Sequence, residues 1–246
     1  SVMGYKTSNT TALNLTANIT KANLTVTASA QDKTYDGKTN VTNSTLFTST
    51  GLMVNDTIAS VTLAYTDKNA GSNKTIAISN ATGDANTLVT NYNILYVNST
   101  TNTINKAELV INATTQTKTY DGTSNASNAS GYNVTGLATG ESIGSVTLVY
   151  DSKNVGTNKT ITVSNAVAGA NTTIGNYNIT YNTDTNSSIT AKTLTVTANT
   201  QTKTYDGGTG VASNTAFTTS GLVANETISS VTLAYTDKNV GAGNKT

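Results

Sequence analysis

Ser60-Val61-Thr62-Leu63-Ala64-Tyr65 returns as Ser145-Val146-Thr147-Leu148-Val149-Tyr150 and again as Ser230-Val231-Thr232-Leu233-Ala234-Tyr235. Val, Leu and Tyr occupy every second position, which puts them on one face of an extended chain and reads as a half-buried β-strand. The differences 145 − 60 and 230 − 145 are both 85. A strand signal repeating at that step points to small all-β domains in series, since solenoid coils and propeller blades repeat every 20 to 50 residues or so.

Other landmarks keep the step. Tyr-Asp-Gly begins at Tyr35, Tyr120 and Tyr205; Gly51-Leu52 recurs as Gly136-Leu137 and Gly221-Leu222; Asn91-Tyr92-Asn93-Ile94 recurs as Asn176-Tyr177-Asn178-Ile179. Further alternating segments run through Leu24 and Val26, Ile76 and Ile78, and Tyr92, Ile94 and Tyr96, with copies such as Leu109 and Ile111 or Ile161 and Val163. Asp36-Gly37, Gly51, Asn69-Ala70-Gly71 and Thr82-Gly83-Asp84 separate them, and these residue types accept the positive φ of tight turns. Six or seven short strands per step imply tandem immunoglobulin-like β-sandwich repeats of about 85 residues.

The copies are expected at 19–103, 104–188 and 189–246, the last lacking the strands equivalent to Thr160–Val163 and Tyr177–Tyr181. Residues 1–18 read as the tail of a preceding repeat or as a donor strand, since Leu13 and Leu15 stand two apart. The chain is thus expected to start and stop inside repeats. Ile104 to Leu109 changes parity at the copy boundary, with no Gly/Ser-rich or Pro-rich spacer, so neighbouring copies are expected to touch.

Composition narrows the function. The 246 residues contain no Cys, Pro, His or Trp, and every one of the 14 basic residues is Lys. No imidazole shuttle, thiolate nucleophile or zinc site of nitrogen and sulfur ligands can be built, so no catalytic residues are expected, no cofactor, and no enzyme. Charged residues are 11% of the chain and the net charge is +1. A nucleic-acid partner is not expected of a chain without arginine or a basic patch, and no apolar run is long enough to span a membrane.

Lys118-Thr119-Tyr120-Asp121-Gly122-Thr123, segments of the type Asp237-Lys238-Asn239-Val240-Gly241, then Gly175-Asn176-Tyr177 and Ile189-Thr190-Ala191-Lys192-Thr193-Leu194-Thr195-Val196, resemble the YDG repeat of large secreted bacterial adhesins related to filamentous haemagglutinin. That family usually carries a proline in the segment corresponding to Ile189–Lys192, where this chain has none. The resemblance implies a stalk or passenger region at the cell surface, extracellular and non-catalytic. Its partners would be neighbouring copies, further repeats, or host and cell-surface glycans.

Three kinds of site can be weighed from the residues. Asp36, Asp121 and Asp206 could offer carboxylates to calcium, but Asp-Gly is a turn signal and no second carboxylate lies at loop-ligand spacing, so no metal site is expected. A Lys–Asn isopeptide crosslink would need a buried lysine, an asparagine and a carboxylic acid, for which Lys106, Asn176 and Glu141 are the candidates. The acceptor pattern Asn-x-Ser/Thr covers about 20 of the 33 asparagines, about twice what Ser and Thr frequency alone would give. Asn55, Asn73, Asn98, Asn128 and Asn158 lie beside turns and are the candidate glycosylation sites. Besides the stalk, two readings stay open: a filament subunit completed by a strand from its neighbour, and a carbohydrate-binding module using exposed tyrosines.

Overall fold

The structure is a computed structural model and describes residues 18–241. It is all-β: among the described residues the only helices are 3-10 turns at Val89–Asn91 and Ile174–Asn176, and no helix is long and apolar enough to cross a membrane. The chain divides between Lys106 and Ala107 into two compact units.

The first unit holds seven strands: β1 (Ala22–Ala28), β2 (Lys33–Thr34), β3 (Phe47–Thr50), β4 (Ile58–Tyr65), β5 (Gly71–Gly83), β6 (Tyr92–Val97) and β7 (Ser99–Asn105). They form a three-stranded sheet, β3-β1-β6, and a four-stranded sheet, β2-β7-β5-β4, which touch where β1 meets β5. Leu24 and Val26 from the first sheet and Leu63, Tyr65, Ile76, Ile78 and Ile104 from the second are buried, so the alternating face read from the sequence is the core face. β1 runs parallel to β6, and β2 parallel to β7. These mixed sheets differ from the wholly antiparallel plan of immunoglobulin domains.

Val61 and Ile94, expected inside, are only half-buried. Val61 sits where the β4–β5 register shifts between Ser60 and Thr62, which interrupts the regular pairing at that end of the core row. Ile94 lies on β6, an edge strand covered on one side only. Asn73 and Asn80 take φ of 53° within β5, and Asn158 and Asn165 repeat this at 54° and 52° in the second copy. Asparagine tolerates this left-handed backbone better than other side-chain-bearing residues, so the long strand can bend at these positions.

The second unit opens with the same plan: β8 (Ala107–Ala113), β9 (Thr117–Thr119), β10 (Tyr132–Thr135), β11 (Ile143–Tyr150), β12 (Gly156–Ala168), β13 (Tyr177–Asn182) and β14 (Asp184–Thr190). Its sheets are β10-β8-β13 and β11-β12-β14-β9, again with two parallel pairs, β13 on β8 and β14 on β9. Leu109, Ile111, Leu148, Tyr150, Ile161, Val163, Tyr177 and Ile189 make the core. The third copy continues within this unit as one pair, β15 (Thr195–Ala198) with β16 (Phe217–Ser220). All four residues of β15 are exposed, because the described residues supply no counterpart of β12, β13 or β14 to cover them.

Candidate functional site

The feature rebuilt in every copy is a lysine lying under the Tyr-Asp-Gly turn. Gln31, Lys33 and Tyr35 alternate on the buried face of β2 and its flanks. The Lys33 side chain is 3% exposed, and its Nζ donates to Asp36 Oδ1 at 2.6 Å, the Lys38 carbonyl at 2.8 Å and the Asn40 carbonyl at 3.0 Å. It also stands 5.5 Å from the centre of the Tyr65 ring. Three acceptors match the three protons of an ammonium group, and the ring quadrupole adds attraction, so the desolvated charge is fully compensated.

Lys118 repeats the geometry with Asp121 at 2.8 Å, the Thr123 carbonyl at 2.8 Å, the Asn125 carbonyl at 2.8 Å and the Tyr150 ring at 5.5 Å. Lys203 keeps Asp206 at 2.6 Å, the Gly208 carbonyl at 2.9 Å and the Tyr235 ring at 5.8 Å.

The turn itself follows from its three residues. Asp36 Oδ1 accepts the Lys38 amide at 2.9 Å while holding Lys33, and Gly37 between them has φ 78°. Gly122 and Gly207 have φ 77° and 80° in the same place, where a side chain would be strained. Lys118 and the Thr123 amide hold the Asp121 carboxyl at about 2, against an ordinary 3.8. Lys203 and the Gly208 amide lower Asp206 in the same direction. At Asp36 burial works against ionisation, but the hydrogen bonds from Lys33 and Lys38 outweigh it and its pKa is also lowered.

A second polar layer lies behind the clamp. Tyr65 donates its hydroxyl to the Gln31 carbonyl at 2.6 Å, Tyr150 to that of Gln116 at 3.1 Å and Tyr235 to that of Gln201 at 2.9 Å. The Gln31 amide donates to Asn102 Oδ1 at 2.9 Å, and the Gln116 amide to Ser187 Oγ at 3.0 Å. Where copy one pairs Ser99 with Asn102, copy two places Asp184 and Ser187, with Thr115 bonding Asp184 at 2.7 Å. The residues change between copies and the network is kept, except that the Gln31 side-chain nitrogen donates to the Asn43 carbonyl at 2.9 Å while that of Gln116 is buried without a partner.

The arrangement is closed. The Lys33 and Lys118 nitrogens have an acceptor for every proton and no lone pair to offer, and in all three copies the carboxylate is spent on the turn. Among the described residues no group of three or more Asp, Glu, His or Cys could hold a metal ion. Asp36, Asp121 and Asp206 serve the lysines. Lys106, the amine considered for an isopeptide bond, is exposed, although that chemistry needs a buried one. Glu141 accepts the Tyr177 hydroxyl at 2.5 Å, and Asn176 is buried.

Asn55, Asn73, Asn98, Asn128 and Asn158 are all exposed. Three of them, Asn55, Asn73 and Asn158, have positive φ of 69°, 53° and 54°, so backbone geometry already favours asparagine there. Asn98 accepts the Ile78 amide at 3.2 Å, and Asn128 caps its own turn by accepting the Ser130 amide at 2.9 Å.

A closed lysine–aspartate clamp rebuilt in three successive copies, with its turn glycine and its tyrosine lid, defines a tandem-repeat protein whose signature residues serve the architecture. The chain belongs to the YDG domain family, whose model matches residues 20–103, 105–185 and 190–246. No curated protein and no solved structure matches it.

Proposed function

We propose that the chain is a non-catalytic, extracellular structural and adhesive protein, a stalk or fibre segment of a cell-surface adhesin of the kind related to filamentous haemagglutinin. The observation that carries this reading is the triplicate clamp: the residues repeated most strictly are spent on holding their own turn, copy after copy. Enzymes concentrate such residues once, in a cleft open to substrate. The immunoglobulin-like character of the two-sheet copies, with two parallel pairs added, belongs to the same proposal. Thr, Asn and Ser supply about two fifths of the sequence, a neutral surface that suits variable exterior conditions, and the five exposed acceptor asparagines would carry glycans there.

The test is made on the source cells. Antibody raised against residues 18–241 should label intact cells, mild surface proteolysis should remove the label, and deletion of the repeats should reduce attachment. Labelling that appears only after cells are opened would overturn the proposal. Intact-mass measurement of native material decides the glycans, since a native mass equal to the sequence mass excludes them.

Residues 1–17, weighed above as the tail of a preceding repeat or as a donor strand, lie outside the described residues.

A further inference from the structure

The clamp accounts for Asp and Gly of the Tyr-Asp-Gly signature and leaves the tyrosine unexplained, because in copy two its contribution to the turn is made by backbone, Tyr120 donating its amide to the Thr190 carbonyl at 2.8 Å. Its side chain points elsewhere. The Tyr120 hydroxyl donates to Glu226 Oε1, a residue of the third copy. Beside it, a Cβ built on Gly122 would lie 2.9 Å from Val223 Cγ1. Both contacts are made by one loop, Gly221–Glu226.

That loop is preformed in each copy. The Asp56, Glu141 and Glu226 amides donate to the carbonyls three residues earlier, Met53, Ala138 and Val223, at 3.0, 3.1 and 3.1 Å. The residue before each acid, Asn55, Gly140 or Asn225, has φ of 69°, 84° or 70°. The acid also has a partner within its own copy: Tyr92 donates its hydroxyl to Asp56 and Tyr177 donates to Glu141. A carboxylate has two oxygens with spare lone pairs, so one acid can serve a tyrosine of its own copy and a tyrosine of the copy before it.

We propose that the Tyr120-Asp121-Gly122 turn of copy two is a docking socket for the third copy. Tyr120 supplies the hydrogen bond, Gly122 the side-chain-free floor, and the Gly221–Glu226 loop of the next copy is the plug. The assignment goes beyond the stalk reading, because it concerns how copies two and three are fixed to one another wherever the chain is used. It also explains both ends of the signature: glycine is required by the positive φ of the turn and by Val223 above it, and tyrosine by the acid of the plug. The Glu226 hydrogen bond, then desolvation and the carboxylates of Glu226 and Asp121, raise the Tyr120 pKa, which keeps its hydroxyl a donor in the contact. A small interface of this kind restrains orientation more than it adds stability.

Because the chain has no cysteine, a spin-label pair can be placed cleanly at Ser145→Cys in copy two and Thr218→Cys in copy three of the full chain. Pulsed electron resonance should give one narrow distance distribution in the parent. Tyr120→Phe and Glu226→Gln should each broaden it about twofold or more, and the double variant should be no broader than either single, since both remove one contact. Tyr205→Phe, the same change in the third turn, should leave the width untouched. Circular dichroism of each variant confirms that the sheets are retained. Widths in Tyr120→Phe and Glu226→Gln equal to the parent's, or a parent distribution already broad, would overturn the socket. Neither result bears on display at a cell surface, so the stalk reading stands or falls separately.

Discussion

Copies two and three of this chain carry the same signature and are covered to different degrees among the described residues. Lys118 and Lys203 make the same i,i+3 pair with aspartate and stand over equivalent tyrosine rings, yet their side chains are 3% and 17% exposed. On the strand behind them Leu109 and Ile111 are fully buried, whereas Leu194 and Val196 are 43% and 42% exposed. The clamp is assembled from residues within seven positions of the lysine, so it forms in both copies. The apolar layer depends on β12 and β14, some 50 to 80 residues further along in copy two, and it forms only where those strands are present. Local hydrogen-bonding order and core burial are therefore separable in this fold.

The strongest way to break that comparison is to add counterparts of β12 and β14 to copy three. Grafting a copy of the Gly156–Thr190 sequence after Val240 should cover β15, and amide exchange over Leu194–Ala198 should slow by roughly three orders of magnitude, toward that of Leu109–Ala113. Exchange unchanged by the graft would show that the exposure of β15 has another origin.

Truncating one core side chain in each copy sharpens the contrast. Leu109→Ala should cost about 3 kcal/mol in denaturant unfolding, from lost burial and the cavity left behind, while Leu194→Ala should cost under about 1 kcal/mol because that side chain is already half in water. Equal costs would contradict the burial difference.

The clamp lysines come next. Lys118→Met keeps the length and strands the Thr123 and Asn125 carbonyls, and should destabilise copy two by about 2 kcal/mol. Lys203→Met should cost about half of that or less, since water can reach its partners. Urea titrations of the two variants measure the ratio.

Acid gives the smallest effect. The Asp121 pKa is depressed from 3.8 to about 2, so its ionised form favours the folded state. That contribution is fully present above pH 4 and is lost as the pH falls toward 2. Asp121→Asn should flatten the fall in stability between pH 4 and pH 2, and Asp206→Asn, in the more exposed clamp, should flatten it less. Parallel acid profiles for Asp121→Asn and the parent would show that other carboxylates dominate.

Much of this was legible in the chain. Period-two alternation placed Leu24, Val26, Ile76 and Ile78 on core faces, and the 85-residue step made each copy a check on the others. Asp36, Asp121 and Asp206 were recognisable as turn residues, but their partners were not. Gln31-x-Lys33-x-Tyr35 has the alternation of a buried strand with polar members, and its recurrence at Lys118 and Lys203 was the signal that a charge is buried. Hydrophobic pattern reading passes over such a strand, because it scores Gln and Lys as exposed. Tyr205, the register equivalent of the buried Tyr35, is 59% exposed.

By itself the sequence determined the all-β class, the repeat step and the turn positions, because alternation, glycine and asparagine act on the backbone within a few residues. Only the tertiary structure decided that β1 lies parallel to β6 and β2 parallel to β7, that Lys33 and Lys118 go inside, and that Tyr120 reaches into the next copy. Strand partners, the tyrosine rings beside the lysines and the carboxylate that meets Tyr120 come from segments far apart in the chain, and nothing in the spacing of one segment specifies which distant strand, ring or carboxylate will meet it.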